Sequence, residues 1–191
     1  MKMLLISLFA FLFNPGCKDV DIMLLADYSQ SISGHEKWIT NAMFSFVDHV
    51  DMNNGDVQIG SIAFNNDAEI TGELTAQKKK ALQGIEYMGN KVGMGVTNLS
   101  DALYKAVNEF SERGKEGRRK IVILISDGRP DNEQNVLVIA EQMRLMNVEI
   151  YTILVEANGS SPQFMQDIST KYYQSDYEGL AAAINNINLC L

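Results

Sequence analysis

Apolar residues are distributed along the chain in two alternating patterns. Short, mostly apolar runs at Val20–Ala26 (just ahead of Asp27), Val57–Phe64, Ile121–Ile125 and Val148–Val155 read as strands buried on both faces. Between these runs, apolar residues return every three or four positions. Trp38, Ile39, Ala42, Met43, Phe46, Val47 and Val50 form one such stripe, and Leu99, Ala102, Leu103, Ala106, Val107 and Phe110 another. Both predict amphipathic helices. Ser33-Gly34-His35-Glu36 reads as a capping box that opens the first helix. Gln77–Met88 predicts a polar helix with Ala81, Leu82 and Ile85 facing inward. Asn53-Asn54-Gly55 predicts a turn, and Asn65-Asn66-Asp67 a tight turn into a short edge strand ending near Leu74. Asp131 is expected to start a helix that runs through Met146. A short helix near Pro162–Ile168, a weak strand around Tyr172-Tyr173 and a final helix from Tyr177 complete the pattern.

Strands that alternate with helices predict an α/β fold, a mostly parallel sheet with helices on both faces. In such a sheet a ligand binds beyond the carboxyl ends of the strands, where the strand order reverses. No linker or internal repeat interrupts residues 17–191, which read as one domain. Ahead of them, Lys2 precedes an apolar run that ends at Phe13. That run is too short for a membrane-spanning helix, which takes about 20 residues. Residues 1–16 are therefore expected to be a secretory signal, and the protein to be secreted. The two cysteines, Cys17 and Cys190, sit at opposite ends of the mature chain and are expected to pair.

Composition narrows the function. Lys plus Arg is 16 against 24 Asp plus Glu, a net charge of −8. This balance argues against a binder of nucleic acid or of anionic lipid. The basic stretch Arg113–Lys120 reads as a solvated turn. Two histidines leave little scope for zinc, and His35 and His49 are expected to have surface or capping roles. The ten methionines are expected to fill the core. Asn158-Gly159-Ser160 is a candidate glycosylation site in a surface loop.

The chemistry concentrates in three connecting segments rich in oxygen. Asp27, Ser29 and Ser31 alternate along an extended stretch, so their side chains share one face. Thr97, in Gly95-Val96-Thr97-Asn98, adds a hydroxyl, and Asp127, in Ser126-Asp127-Gly128, adds a second carboxylate. An all-oxygen set suits a hard divalent cation, with Mg²⁺ the best fit and Mn²⁺ the second candidate. Neutral hydroxyls leave such a cation poorly neutralised, so it keeps an open position for a carboxylate from outside. A partner protein's Glu or Asp would complete the coordination.

The three segments D-x-S-x-S, G-x-T-N and S-D-G, in this order and each following a strand, resemble the von Willebrand factor type A domain. That family carries a metal-ion-dependent adhesion site. The resemblance implies that Asp27, Ser29, Ser31, Thr97 and Asp127 are its metal residues. It also implies a doubly wound sandwich with six strands in the order 3-2-1-4-5-6, strand 3 antiparallel. The function it implies is non-enzymatic: secreted, metal-dependent binding of a matrix or cell-surface protein. Tyr28, Gln30, Asn98 and Arg129 are the candidates for the ligand-binding face. Tyr28 and Gln30 stand where the family often has small residues, so Tyr28 is expected to crowd or line that face. Asn98-Leu99-Ser100 also fits a glycosylation sequon, but a glycan there would block Thr97, so Asn98 is expected to be bare. An intracellular scaffold or assembly subunit of the same family is the alternative. A hydrolase using Ser29 or Ser31 is disfavoured, because the chain has no G-x-S-x-G elbow.

Overall fold

A computed structural model describes residues 19–128, 130–155 and 161–189. The expectations for the signal segment, Cys17, Arg129, Asn158 and Cys190 lie outside the described residues. The strands are β1 (Val20–Asp27), β2 (Val57–Phe64), β3 (Ala68–Thr75), β4 (Arg119–Ser126), β5 (Val148–Val155) and β6 (Lys171–Ser175). They form one sheet in the order β3-β2-β1-β4-β5-β6. All neighbours are parallel except β2 and β3, which are antiparallel. The helices are α1 (Glu36–His49), α2 (Lys78–Met88), α3 (Leu99–Arg113), α4 (Glu133–Leu145), α5 (Pro162–Ile168) and α6 (Leu180–Asn185). Among the described residues, no helix is long and apolar enough to cross a membrane.

The central strand shows why the sheet needs two helical layers. Side chains alternate across a strand, so β1 serves two separate cores. Ile22, Leu24 and Ala26 pack with residues of α1, α2 and α6, including Met43, Ile85 and Ile184. Met23 and Leu25 face the other way, into a core shared with α3, α4 and α5 that includes Leu103, Val136 and Met165. Both faces are covered, as a strand apolar on both faces requires. β1 pairs with β2 on one side and β4 on the other, with Ala26 opposite both Ala63 and Ile125. Asp27 and Ser126 therefore reach the same rim of the sheet, where the chain turns away in opposite directions.

Four local expectations are corrected. The Ser33–Glu36 capping box does not form. α1 begins at Glu36, His35 occupies the cap position, and among the described residues no side chain caps the helix. Gly34 takes φ +90°, which turns the backbone so that the Glu36 carboxylate accepts from Gly34 N (2.9 Å) and Gly93 N (2.8 Å) instead. α4 opens at Glu133 rather than at Asp131, because the Asn132 side chain supplies the cap by accepting from Asn135 N at 3.1 Å. α6 opens at Leu180, and residues 177–179 form the turn that leads into it. The basic stretch is bound into the structure more closely than a solvated turn. Arg113 pairs with Glu73 (2.8 Å), Arg118 with Asp21 (3.4 Å) and Arg119 with Glu149 (2.8 Å).

Candidate functional site

The loop after β1 is shaped by its own carboxylate. Asp27 is fully buried, and its Oδ1 accepts from Ser29 N at 2.8 Å, an Asx-type turn that bends the chain off the sheet. A single 3₁₀ turn, Gln30–Ile32, follows. The other oxygen, Oδ2, accepts from the Ser126 hydroxyl at 2.6 Å, and Ser126 Oγ in turn accepts from Gly128 N at 3.0 Å. The end of β4 is thereby tied to the end of β1 through side chains as well as through the sheet.

The remaining loop is tied to both. Met94 N donates to Tyr28 O (3.0 Å) and Gln30 N donates to Gly95 O (3.2 Å). Gly95 is held at φ +72°, and a side chain there would run into Asn66; the Asn66 side chain accepts from Val96 N. Thr97 is clamped from the β4 side. Its N–H donates to Asp131 Oδ1 at 3.0 Å, and its carbonyl accepts from Asp131 N at 3.1 Å. The three segments are thus one hydrogen-bonded unit, and it contains Asp27, Ser29, Ser31, Thr97 and Asp127.

The electrostatics at this rim are unfavourable in the protein alone. Burial pushes Asp27 up to about 6 against the hydrogen bonds from Ser126 and Ser29, and the neighbouring Asp127 charge adds to the rise. Asp127 is 1% exposed, and its Oδ1 has no hydrogen-bond partner among the described residues. Two carboxylates close together, one with a buried oxygen unpartnered, favour a positive guest. The donor set fits a small dication. Ser29 Oγ and Ser31 Oγ stand 3.0 Å apart, and adjacent oxygens around Mg²⁺ in regular octahedral geometry are also about 3 Å apart. Among the described residues, no group of three or more His, Cys, Asp or Glu side chains is placed to hold a metal. A cation at this rim would therefore depend on the hydroxyls.

The ligand-face expectations divide. Gln30 is exposed. Asn98 is half-buried and caps α3: its Oδ1 accepts from Asp101 N (3.2 Å) and Ser100 Oγ (2.9 Å), and its Nδ2 donates to Asn66 O (3.0 Å). Tyr28 is corrected. It follows the strand on the face opposite Asp27 and Ser29, so its ring enters the core at 1% exposure. Its hydroxyl bonds to Thr40 Oγ1 at 2.8 Å, and burial pushes it up to about 12. Two structural contributors escape the motif reading. Ser126 lies within S-D-G and Asp131 follows four residues after Asp127, but only the fold shows that one supports Asp27 and the other Thr97.

The family model for the von Willebrand factor type A domain matches residues 21–185. The chain belongs to this family. This type A chain is 28% identical, over 144 residues, to a thrombospondin-related anonymous protein of Plasmodium falciparum. The match covers 70% of this chain and 26% of that protein, so the chain spans about a quarter of its relative. Among solved structures, the fold is similar to proximal thread matrix protein 1 from the mussel byssus, with a TM-score of 0.77 at 22% identity. That alignment covers 89% of this type A chain and 47% of the mussel chain. The fold is also similar to a manganese-loaded TRAP protein of Plasmodium vivax, with a TM-score of 0.73 at 21% identity, covering 87% of this chain and 72% of that one.

Proposed function

We propose that this type A domain is a secreted, metal-dependent protein-binding module. In this reading Asp27, Ser29, Ser31, Thr97 and Asp127 hold Mg²⁺ or Mn²⁺, and a Glu or Asp of a matrix or cell-surface partner completes the shell. The observation that carries it is the unpartnered, buried Asp127 Oδ1 beside a raised Asp27 and two hydroxyls at ligand spacing. The manganese-loaded relative and the matrix protein of like fold support it. When bound, the cation supplies a Lewis-acidic contact for the partner's carboxylate. The residues of this chain do the rest: Asp27 and Ser126 fix the β1 rim, Asp131 fixes Thr97, and Gln30 stands exposed beside them. The site binds and does not turn over substrate. The Ser29 hydroxyl is bonded to Ser31, and the His35 ring stacks on Tyr177 rather than activating a serine.

The test is calorimetric titration of the metal-stripped protein with Mg²⁺, followed by a binding screen against matrix and surface proteins in Mg²⁺ and in chelator. Absence of Mg²⁺ uptake, or binding that is unchanged in chelator, overturns the reading. Asp131→Ala should weaken Mg²⁺ about 10-fold or more, the usual cost of losing a residue that orients a metal ligand. Unchanged affinity would show that Thr97 needs no clamp.

A Cys17–Cys190 bond is part of the same proposal. Arg119 N donates to Asp19 O (3.0 Å), and the Arg119 guanidinium donates to Leu189 O (2.6 Å). Residues close to both cysteines in the chain are therefore held by one side chain and its backbone. The mass of the native protein without reductant is expected to be two hydrogens below that of the reduced protein. Equal masses would rule the bond out.

A further inference from the structure

The loop that delivers Thr97 also presents bare aliphatic side chains. Val92, Met94 and Val96 are 64%, 58% and 50% exposed, and all three lie within five residues of chain. Among the described residues, neither hydrophobic core includes them. Single exposed aliphatics are ordinary on a protein surface, but a group of them marks an interaction site. The stretch from Val92 to Ser100 carries no charge, although 21% of the chain is charged. Loss of charge together with exposed apolar area is what the centre of a protein interface looks like before its partner arrives.

The strip is held stiffly. Each residue from Gly93 to Thr97 is tied through its backbone to another segment. Gly93 N donates to Glu36 Oε1 (2.8 Å), Met94 N to Tyr28 O (3.0 Å), Val96 N to Asn66 Oδ1 (3.0 Å) and Thr97 N to Asp131 Oδ1 (3.0 Å), while Gly95 O accepts from Gln30 N (3.2 Å). The two glycines permit this close approach. A Cβ on Gly93 would lie 2.8 Å from Ser33 Cα, and one on Gly95, at φ +72°, would meet Asn66. The backbone is therefore pinned against the site while the three aliphatic side chains face solvent. A surface fixed in advance loses little conformational entropy when a partner covers it. Met94 adds an unbranched, polarisable chain that adapts to different apolar shapes.

We propose that Val92, Met94 and Val96 form an apolar docking strip for the partner protein. The partner's cation-completing Glu or Asp is flanked by uncharged, apolar residues that lie on this strip. The inference rests on the cation-binding reading above, because the strip runs directly into Thr97 and is bonded to the loop of Ser29 and Ser31. The one charge this surface asks of its partner is the carboxylate at the cation. A second charged residue beside it would be desolvated against aliphatic side chains, with no counter-charge in the strip. The strip thus selects among the acidic residues that could reach the cation.

The test uses two acetylated, amidated pentapeptides, Gly-Leu-Glu-Leu-Gly and Gly-Ser-Glu-Ser-Gly. Each is titrated into the protein in Mg²⁺ and in chelator, with backbone amide NMR shifts as the readout. In Mg²⁺ the Leu peptide is expected to bind about 10-fold more tightly, the affinity equivalent of burying one aliphatic side chain. It should also shift the amides of Val92, Met94 and Val96. Combining Val92→Ser with Met94→Ser is expected to remove the preference and to leave the affinity for the Ser peptide as it was. Equal, Mg²⁺-dependent binding of the two peptides overturns the strip and leaves the cation reading standing. A preference that survives the double variant overturns the strip, and so does a variant that loses both peptides alike. Failure of both peptides to bind Mg²⁺-loaded protein at millimolar concentration overturns it as well. The same amides shifting with protein concentration alone would make a second copy of the chain the occupant, and the proposal would fall. A Leu-peptide preference of the same size in chelator keeps the docking strip and overturns its link to the cation.

Discussion

Asp27→Asn is expected to stabilise the metal-free protein at pH 7 and to abolish its Mg²⁺-dependent binding. Asp27 is fully buried, and burial pushes its pKa from the ordinary 3.8 up to about 6. A carboxylate whose folded value is raised favours folding only while protonated. The metal-free wild type therefore has its full share of this stability below pH 3.8, loses it as the pH rises through about 6, and stays at the lower level above. The shift corresponds to about 3 kcal/mol at neutral pH, and asparagine recovers part of it. The carbonyl oxygen of the substituted amide can still accept from Ser29 N. The amide nitrogen must donate to Ser126 Oγ, which already accepts from Gly128 N and has a second lone pair free. Denaturant unfolding in chelator should show a gain of about 1–3 kcal/mol for the variant at pH 7 and no gain at pH 3. The variant should also lack the wild type's fall between those values. Adding Mg²⁺ should raise the wild-type midpoint by ligand linkage and leave the variant unmoved. A variant less stable than wild type at pH 7 in chelator would mean that the hydrogen bonds at Asp27 outweigh its burial.

The same residue shows how far the sequence could be read. A mostly apolar run ending in an acid predicts a buried strand with a polar tip, and β1 is that strand. Its inner residues divide between two cores because their alternation leaves no other choice. The parallel register, the reversal of strand order beside β1 and the grouping of three loops follow from that arrangement. Motif spacing could not show which atoms each loop residue would hold. Tyr28 sits between two site residues and so reads as part of the outer face, but alternation along an extended chain turns it inward onto Thr40. Ser33 and Glu36 have the spacing of a capping box. Gly34 breaks the backbone geometry a cap requires, and the Glu36 carboxylate finds the Gly93 amide, 57 positions along the chain. Asp131 reads as a helix start because Asp is common there, yet its carboxylate is used on Thr97. These are long-range hydrogen bonds, and a sequence contains the donors and acceptors without the distances that pair them.

At the opposite end of the sheet, Arg118→Ala is expected to cost about 3–5 kcal/mol at pH 7, the range typical of stranding a buried charge. Asp21 is fully buried at the start of β1. Its carboxylate accepts from Lys115 N (2.8 Å) and from Arg118 Nη1 (3.4 Å), and the same guanidinium donates to Gly55 O at 2.7 Å. The Arg118 side chain is 8% exposed, so solvent screens the pair weakly. Burial already raises Asp21 above its ordinary value despite the Lys115 bond and Arg118. Removing the cation raises it further, and the variant is expected to recover stability as the pH falls and Asp21 takes up a proton. Adding Asp21→Asn to Arg118→Ala removes the stranded charge and should restore a large part of the loss, since a buried pair contributes little net stability over neutral groups. Denaturant unfolding of both single variants and the double variant closes the cycle. If the double variant loses as much as the two single variants summed, Asp21 and Arg118 act independently, and the β1 start is held by the Lys115 and Gly55 bonds instead. Mg²⁺ affinity should be unchanged in Arg118→Ala at a temperature where it is folded, because the pair lies at the far end of β1 from Asp27. A parallel loss of affinity would mean that strain at the strand's start reaches the cation rim.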